Sequence, residues 1–201
     1  FSLKTTFMGA IFLLTASVGD GINGAILPVL FMQNLEWEPD TYSQIVGGLG
    51  TVFEVCGALL GGFLADRMGR RKIITAGYGG FAIVAIIFGV FSIHWQNTTF
   101  ASAYLVTYPF FRALGAVAIF SLFMHISWTK SAATMFTSYM AISNMSSTMG
   151  NKIAGYIKEW IPFDMTFILS GILALVPLIF LIWINPDFIV KVKGQDSSVE
   201  S

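Results

Sequence analysis

The sequence predicts an all-α membrane protein built from six transmembrane helices. Three observations predict it. The chain of 201 residues is 55% hydrophobic and only 11% charged, with a mean hydropathy of +0.74, whereas a soluble domain carries about a quarter charged residues. Six apolar runs are each long enough to cross a bilayer, which takes about 20 helical residues. A short, strongly basic turn, GFLADRMGRR at 62–71, joins the second run to the third.

The six spans fall near 7–31, 43–65, 73–93, 100–124, 133–157 and 165–185. They are helices rather than strands, because a lone strand in lipid leaves its backbone groups unpaired. The first contains ASVGDGINGAILPVLF, with Asp20 in its middle. The second carries Glu54, with Gly57 and Gly61 spaced for a close helix contact. The third and sixth contain no charged residue and suit a lipid-facing position. The fourth carries Arg112. The fifth supplies Asn144, Ser146, Ser147 and Asn151 as uncharged hydrogen-bonding groups, with Lys152 placed to snorkel toward its outer end. Pro186 ends the sixth span. Residues 1–185 therefore read as one bundle, and 186–201 as a polar tail.

Loop charge orients the bundle. Lys4, Arg67, Arg70, Arg71, Lys72, Lys130, Lys191 and Lys193 fall on one side. Glu36, Glu38 and Asp40, the neutral loop at Asn97, and the Lys158–Glu159 pair fall on the other. The basic side is expected to be cytoplasmic. Both ends of this stretch lie there, as an even number of spans requires.

Several function classes are disfavoured. Zero net charge gives no reason to expect a nucleic-acid partner. The single cysteine, Cys56, excludes an internal disulfide and reads as a packing residue. Nothing calls for a cofactor or a metal. His94 and His125 sit near span ends and read as interfacial residues, and the nine Met as gap-fillers. An enzyme embedded in the membrane needs paired His on one face or an Asp pair in short motifs, and neither occurs. The first run is too long for a cleaved signal peptide. Asn97-Thr98-Thr99 has the pattern of a glycosylation acceptor, but a short loop against the bilayer is a poor one.

The turn itself carries a resemblance. G-x-L-A-D-R-x-G-R-R, with Gly62, Asp66, Arg67, Gly69, Arg70 and Arg71, is similar to the cytoplasmic loop motif of the major facilitator superfamily of secondary transporters. The resemblance implies that these six helices form one half-bundle of a twelve-helix fold, with a second six-helix half as partner. It also implies that the loop works as a latch between conformations. In the alternative reading the basic cluster sets only topology. The Gly19-Asp20 pair and the stretch Ala132-Ala133-Thr134-Met135-Phe136 resemble the seventh and eleventh helices of the muropeptide permease and acetyl-coenzyme A transporter family. On that resemblance the chain is the C-terminal half of a bacterial inner-membrane permease. A start at Phe1 rather than Met suggests a piece of a longer protein. One departure stands out: TYPFFRALG carries Arg112 where the resemblance leads one to expect an acidic residue. An N-terminal half followed by a central linker, a sugar or drug permease of another branch, and a half-size scaffold are the alternatives.

Charge inside a span is expensive and needs a reason. Asp20 lies about 14 residues into the first span, Glu54 about 12 into the second and Arg112 about 13 into the fourth, all near the midplane at about 1.5 Å per residue. Asn23 shares a face with Asp20. Together with Asn144 and Asn151 these residues suggest a central polar site. A carboxylate there can bind and release a proton, and Arg112 can hold an anionic group by its planar fork. The competing reading is a buried ion pair that only ties helices together. In the superfamily fold the first and fourth helices of each half line the cavity, and Asp20 and Arg112 fall on that pair.

Overall fold

A computed structural model describes residues 3–126 and 132–182 of the chain. Every regular element among them is helical. The first span consists of α1 (Leu3–Ala16) and α2 (Val18–Val29), and α2 runs on into a turn of π-helix at Leu30–Asn34. The second consists of α3 (Pro39–Gln44), a π-helical stretch at Ile45–Gly50, and α4 (Thr51–Met68). The remaining four are α5 (Arg70–Val90), α6 (Thr98–Ile126), α7 (Ala132–Ile157) and α8 (Phe163–Leu181).

The six expected spans are all present, with ends that differ by a few residues. Gly69, at φ 95°, separates α4 from α5 with no intervening loop, so both helices extend into the basic turn. Asn97 caps α6: its Oδ1 accepts from the backbone N–H groups of Thr99 (3.0 Å) and Phe100 (3.2 Å), which starts that helix before residue 100. The expected end of the sixth span at 185, Pro186, the tail, Lys130, Lys191 and Lys193 lie outside the described residues. Five spans are long and apolar enough to cross a membrane by composition. The fifth, α7, is long enough but too rich in Ser, Thr and Asn to qualify; Ser146 is buried, while Thr134, Thr137, Ser138, Thr148 and Asn151 lie exposed on this half.

Packing pairs α4 with α6, α5 with both α6 and α8, and the first span with α7 and α8. Backbone contact makes several of these possible. A Cβ on Gly61 would lie 2.6 Å from the carbonyl oxygen of Leu114, and one on Gly57 would overlap that of Phe110. The expected close contact of the second span is thus made against the fourth.

Two apolar layers divide the bundle along its axis. One, around Phe12, Ile74, Leu122 and Phe123, lies toward the basic turn. The other, around Phe31, Phe88, Tyr104 and Phe167, lies toward the opposite end. The site sits between them.

The third and sixth spans, expected to suit a lipid-facing position, have a second role as well. Each shows one apolar face outward, with Ile83 and Ile87 on α5 and Ile172 and Ile179 on α8. Their other faces pack together in the centre, and α5 also walls the cavity. The second span is the least buried, with 22% of its most apolar window covered against 50% for the first.

Candidate functional site

The first span breaks at Ser17, next to its acidic residue. The Ser17 backbone N–H donates to Ser146 Oγ on α7 (3.0 Å) instead of remaining in the helical ladder, and the Ser17 and Ser143 hydroxyls lie 3.4 Å apart. The segment after the break is wedged between two helices. A Cβ on Gly19 would overlap the Ser170 carbonyl oxygen of α8, and one on Gly21 the Ser147 carbonyl oxygen of α7. Asp20, between these glycines, is therefore held in place by backbone contact on both sides.

Asp20 faces a cavity of about 220 Å³. Arg112, Ser17, Tyr78, Ser143, Asn144 and Ser147 supply its other polar groups, and Phe81, Phe111 and Phe120 its aromatic wall. Asp20 Oδ1 accepts a hydrogen bond from the Tyr108 hydroxyl (3.1 Å) and lies 3.8 Å from Arg112 Nε. Arg112 Nη2 pairs with Glu54 Oε1 of α4. One guanidinium thus bridges carboxylates from the first and second spans. Asp20 sits midway along Phe7–Asn34, Glu54 midway along Pro39–Met68 and Arg112 near the middle of Thr98–Met124, so the cluster lies at mid-depth.

The other predicted site residues fall in different places. Asn144 lines the cavity. Glu54 stands behind Arg112 and does not line it. Asn23 is fully buried off the cavity, where its Oδ1 accepts from the Tyr104 hydroxyl (2.6 Å). Asn151 is exposed one helical turn beyond Ser147, and Lys152 beside it is exposed too. His94 lies in a single 3-10 turn at a span end, and the side chain of His125 lies outside the described residues.

At the basic turn, Asp66 pairs loosely with Arg70 (3.8 Å), and Arg67 stacks over the Phe63 ring at 4.4 Å. Arg70 Nε donates to Ser121 Oγ (2.8 Å). Arg71 Nη2 donates to the carbonyl oxygens of Leu181 (2.7 Å) and Ile182 (3.0 Å). A cation on the last carbonyls of α8 satisfies groups that a helix end leaves unpaired. The turn, the end of α6 and the end of α8 therefore share one end of the bundle.

Residues 9–199 match the Major Facilitator Superfamily over nearly the whole chain. The chain belongs to that superfamily. Over 123 residues it is also 26% identical to a protein of Methanocaldococcus jannaschii described as an uncharacterized MFS-type transporter. That match covers 61% of this chain and 30% of the relative, so less than a third of that protein's length is matched. The superfamily is one of secondary transporters, and the all-α bundle of six helices is a major facilitator half-bundle.

Sequence reasoning missed the tyrosines of this major facilitator bundle. Tyr104, Tyr108 and Arg112 recur at intervals of four, so they share one face of α6. That stripe was available as a signal. Tyr78, which reaches the cavity from the uncharged third span, and the Ser17–Ser146 contact carry no such pattern.

Proposed function

We propose that this chain is the C-terminal six-helix half of a secondary active transporter that moves a small anionic solute with protons by alternating access. The observation that carries the reading is the mid-depth guanidinium of Arg112, open to a polar cavity and flanked by two carboxylates. Such a group holds a carboxylate or phosphate by paired hydrogen bonds. Asp20, on the cavity wall, is the carboxylate that takes the proton when the solute enters.

The partner is the N-terminal half of the same transporter. A cavity of about 220 Å³ is smaller than an ordinary small-molecule pocket of about 300–1,000 Å³, which suits one wall of a site that a second bundle completes. The two bundles rock about that site, and the Asp66–Arg70 turn is the latch. The loop charges support an orientation with both ends of this stretch in the cytoplasm, and the likeness to bacterial permeases supports an inner-membrane location. The likeness of Gly19-Asp20 and of the 132–136 stretch to the muropeptide and acetyl-coenzyme A permeases supports an anion of that general kind.

A second reading, a sugar permease, is favoured by one observation. The wall opposite Arg112 offers the hydroxyls of Ser143 and Ser147, the Asn144 amide and aromatic faces, which also suit a neutral polyol. One experiment separates the two. The full-length transporter is reconstituted in vesicles loaded with a pH-sensitive dye, and solute-driven proton entry is measured with a panel of carboxylates and phosphates and a matched panel of neutral sugars. Proton entry driven by anions, lost in Asp20→Asn and weakened in Arg112→Lys, supports the proposal. Proton entry driven by sugars alone, or left intact in Asp20→Asn, overturns it.

A further inference from the structure

The guanidinium of Arg112 reaches the cavity with part of its hydrogen-bonding capacity already engaged. Its Nε and Nη2 are the two donors of the side-on edge of the planar fork, one of the two edges by which a guanidinium grips a carboxylate or phosphate with two oxygens. Here that edge is divided. Nη2 is bonded to Glu54, while Nε, buried and without a hydrogen bond, faces Asp20 at 3.8 Å. Glu54 holds the tighter half and comes from the helix least covered by the rest of this bundle.

We infer that Glu54 is an internal competitor for the solute: the anionic group takes the Nε–Nη2 edge of Arg112 by displacing Glu54, and the displacement unclamps the second span from the fourth. This rests on the anionic-solute reading and assigns Glu54 its part in it. Charge decides the sequence of events. With Asp20, Glu54 and Arg112 ionised the cluster sums to one negative charge, so each negative charge that the bound anionic group brings into this poorly solvated site adds one more. A proton on Asp20 offsets one such charge and restores the starting value when the bound group is singly charged. No further proton is needed if Glu54 turns to the face it already reaches, where its side chain is 40% exposed in this half. The other titratable groups around the cluster are Tyr78 on α5 and Tyr104 and Tyr108 on α6. Besides Asp20, the first-span break, α7 and α8 present only the uncharged Ala16, Ser17, Ser143, Asn144, Ser147 and Ala174 to the cavity.

The second span is built to yield at this point. The π-helical stretch Ile45–Gly50 ends one turn before Glu54 and contains Gly47, Gly48 and Gly50. A Cβ on Gly47 or Gly48 would meet nothing within 4 Å. On the other side of Glu54 the backbone is locked, because Gly57 and Gly61 rest on the carbonyls of Phe110 and Leu114. Breaking the Glu54–Arg112 pair therefore removes the polar tie on the segment around Gly47 and Gly48, where only the packing of Gly50 on the Leu105 carbonyl and of Ile45 and Val46 on the core still holds it, and leaves the segment toward the basic turn docked.

The test uses the full-length transporter in nanodiscs, with inorganic phosphate and succinate as probes and a fluorophore on Cys56. Cys56 is the only cysteine of this chain and lies exposed on α4 two residues after Glu54; any cysteine in the other half is replaced. Glu54→Gln keeps the shape and weakens the hold on Arg112. It is expected to bind at least one probe about tenfold more tightly than the native protein, and to lose that gain in Glu54→Gln/Arg112→Lys. Its Cys56 fluorophore, without any probe, is expected to show the emission shift that the probe induces in the native protein. Glu54→Asp, which keeps the charge, is expected to fall between. If Glu54→Gln binds neither probe, or binds no more tightly than the native protein, the competitor role is overturned. If its probe-free emission matches that of the native protein, the unclamping is overturned. Neither outcome touches solute-driven proton entry, so failure here is distinguishable from failure of the transport reading.

Discussion

Gly21→Ala is expected to destabilise the bundle by about 2–4 kcal/mol, while Gly24→Ala, three residues further along the same helix, is expected to be harmless. The geometry gives the difference. A methyl at position 21 would overlap the Ser147 carbonyl oxygen and lie 3.1 Å from both Asn151 N and Gly150 Cα. All three are backbone atoms and cannot rotate away. Gly150 faces the Val18 carbonyl in return, so the two helices are locked from both sides. Relief requires α2 and α7 to part by on the order of 1 Å, to recover normal carbon–carbon contact. Overpacking of that kind costs about 1–3 kcal/mol. Parting the helices also stretches the Ser17–Ser146 hydrogen bond, now 3.0 Å, for about 1 kcal/mol more. At Gly24 a methyl meets nothing within 4 Å, and removing a helical glycine gains up to about 1 kcal/mol. Unfolding of the purified variants in a graded detergent series measures the difference. A Gly21→Ala protein as stable as Gly24→Ala would refute the wedge and, with it, the account of how Asp20 is held.

Four further predictions follow from individual contacts. Tyr108→Phe removes the hydroxyl that Asp20 accepts; it should cost about 0.5–1.5 kcal/mol of stability and reduce solute-driven proton entry, read by the same unfolding series and by vesicle flux. Arg71→Ala should destabilise by about 1.5–3 kcal/mol, since a charged donor to the Leu181 and Ile182 carbonyls is lost, and the unfolding midpoint should fall more than for Lys72→Ala, whose side chain is exposed. Asp66→Asn should leave stability within about 1 kcal/mol, because its partner Arg70 is 3.8 Å away and Asp66 is 73% exposed, yet it should slow transport; native rates in a well-expressed variant would leave the turn a topological role only. Single cysteines at Lys4, Arg70 and Ser201, in a Cys56→Ala background, should resist an impermeant thiol reagent in intact cells, and labelling of Arg70→Cys from outside would reverse the assigned orientation.

The fold was legible because lipid leaves few choices. A run of about 20 apolar residues has to be a helix, and six such runs with a basic turn after the second fixed the number and order of the helices. What composition could not reveal was how polar a span becomes when it faces the interior. The run at 133–157 is the least apolar of the six because Ser143, Asn144, Ser146 and Ser147 serve the cavity and the helix break. The spans without charge suit a lipid-facing position by the same logic, and they do turn an apolar face outward, but the absence of charge hid their second face. Gly77, Tyr78 and Phe81 wall the cavity without any charge to betray them.

The site was legible to the extent that charge is rare in a membrane. Asp20, Glu54 and Arg112 stood out in their spans, and all three meet at one depth. Helical periodicity served less well, because it gives a face and not a destination. Asn23 shares the Asp20 side of its helix but lies one turn beyond the cavity, where Tyr104 closes over it. Asn151 continues the Ser147 stripe, yet it points out of this half because Gly150 brings its backbone against α2. Nor could spacing show that Arg112 would meet two carboxylates unequally, tightly through Nη2 and loosely through Nε. That inequality depends on how closely α4 approaches α6, and the approach is set by Gly57 and Gly61. Two glycines that read as simple packing residues thus decide which carboxylate holds the cation. Glu54 sits within a turn of Gly57, where the helices are nearest, whereas Asp20 reaches Arg112 across the cavity from a helix anchored elsewhere. A side chain at Gly57 would push α4 outward and hand the guanidinium to Asp20, so the pairing rests on a backbone contact that carries no charge at all.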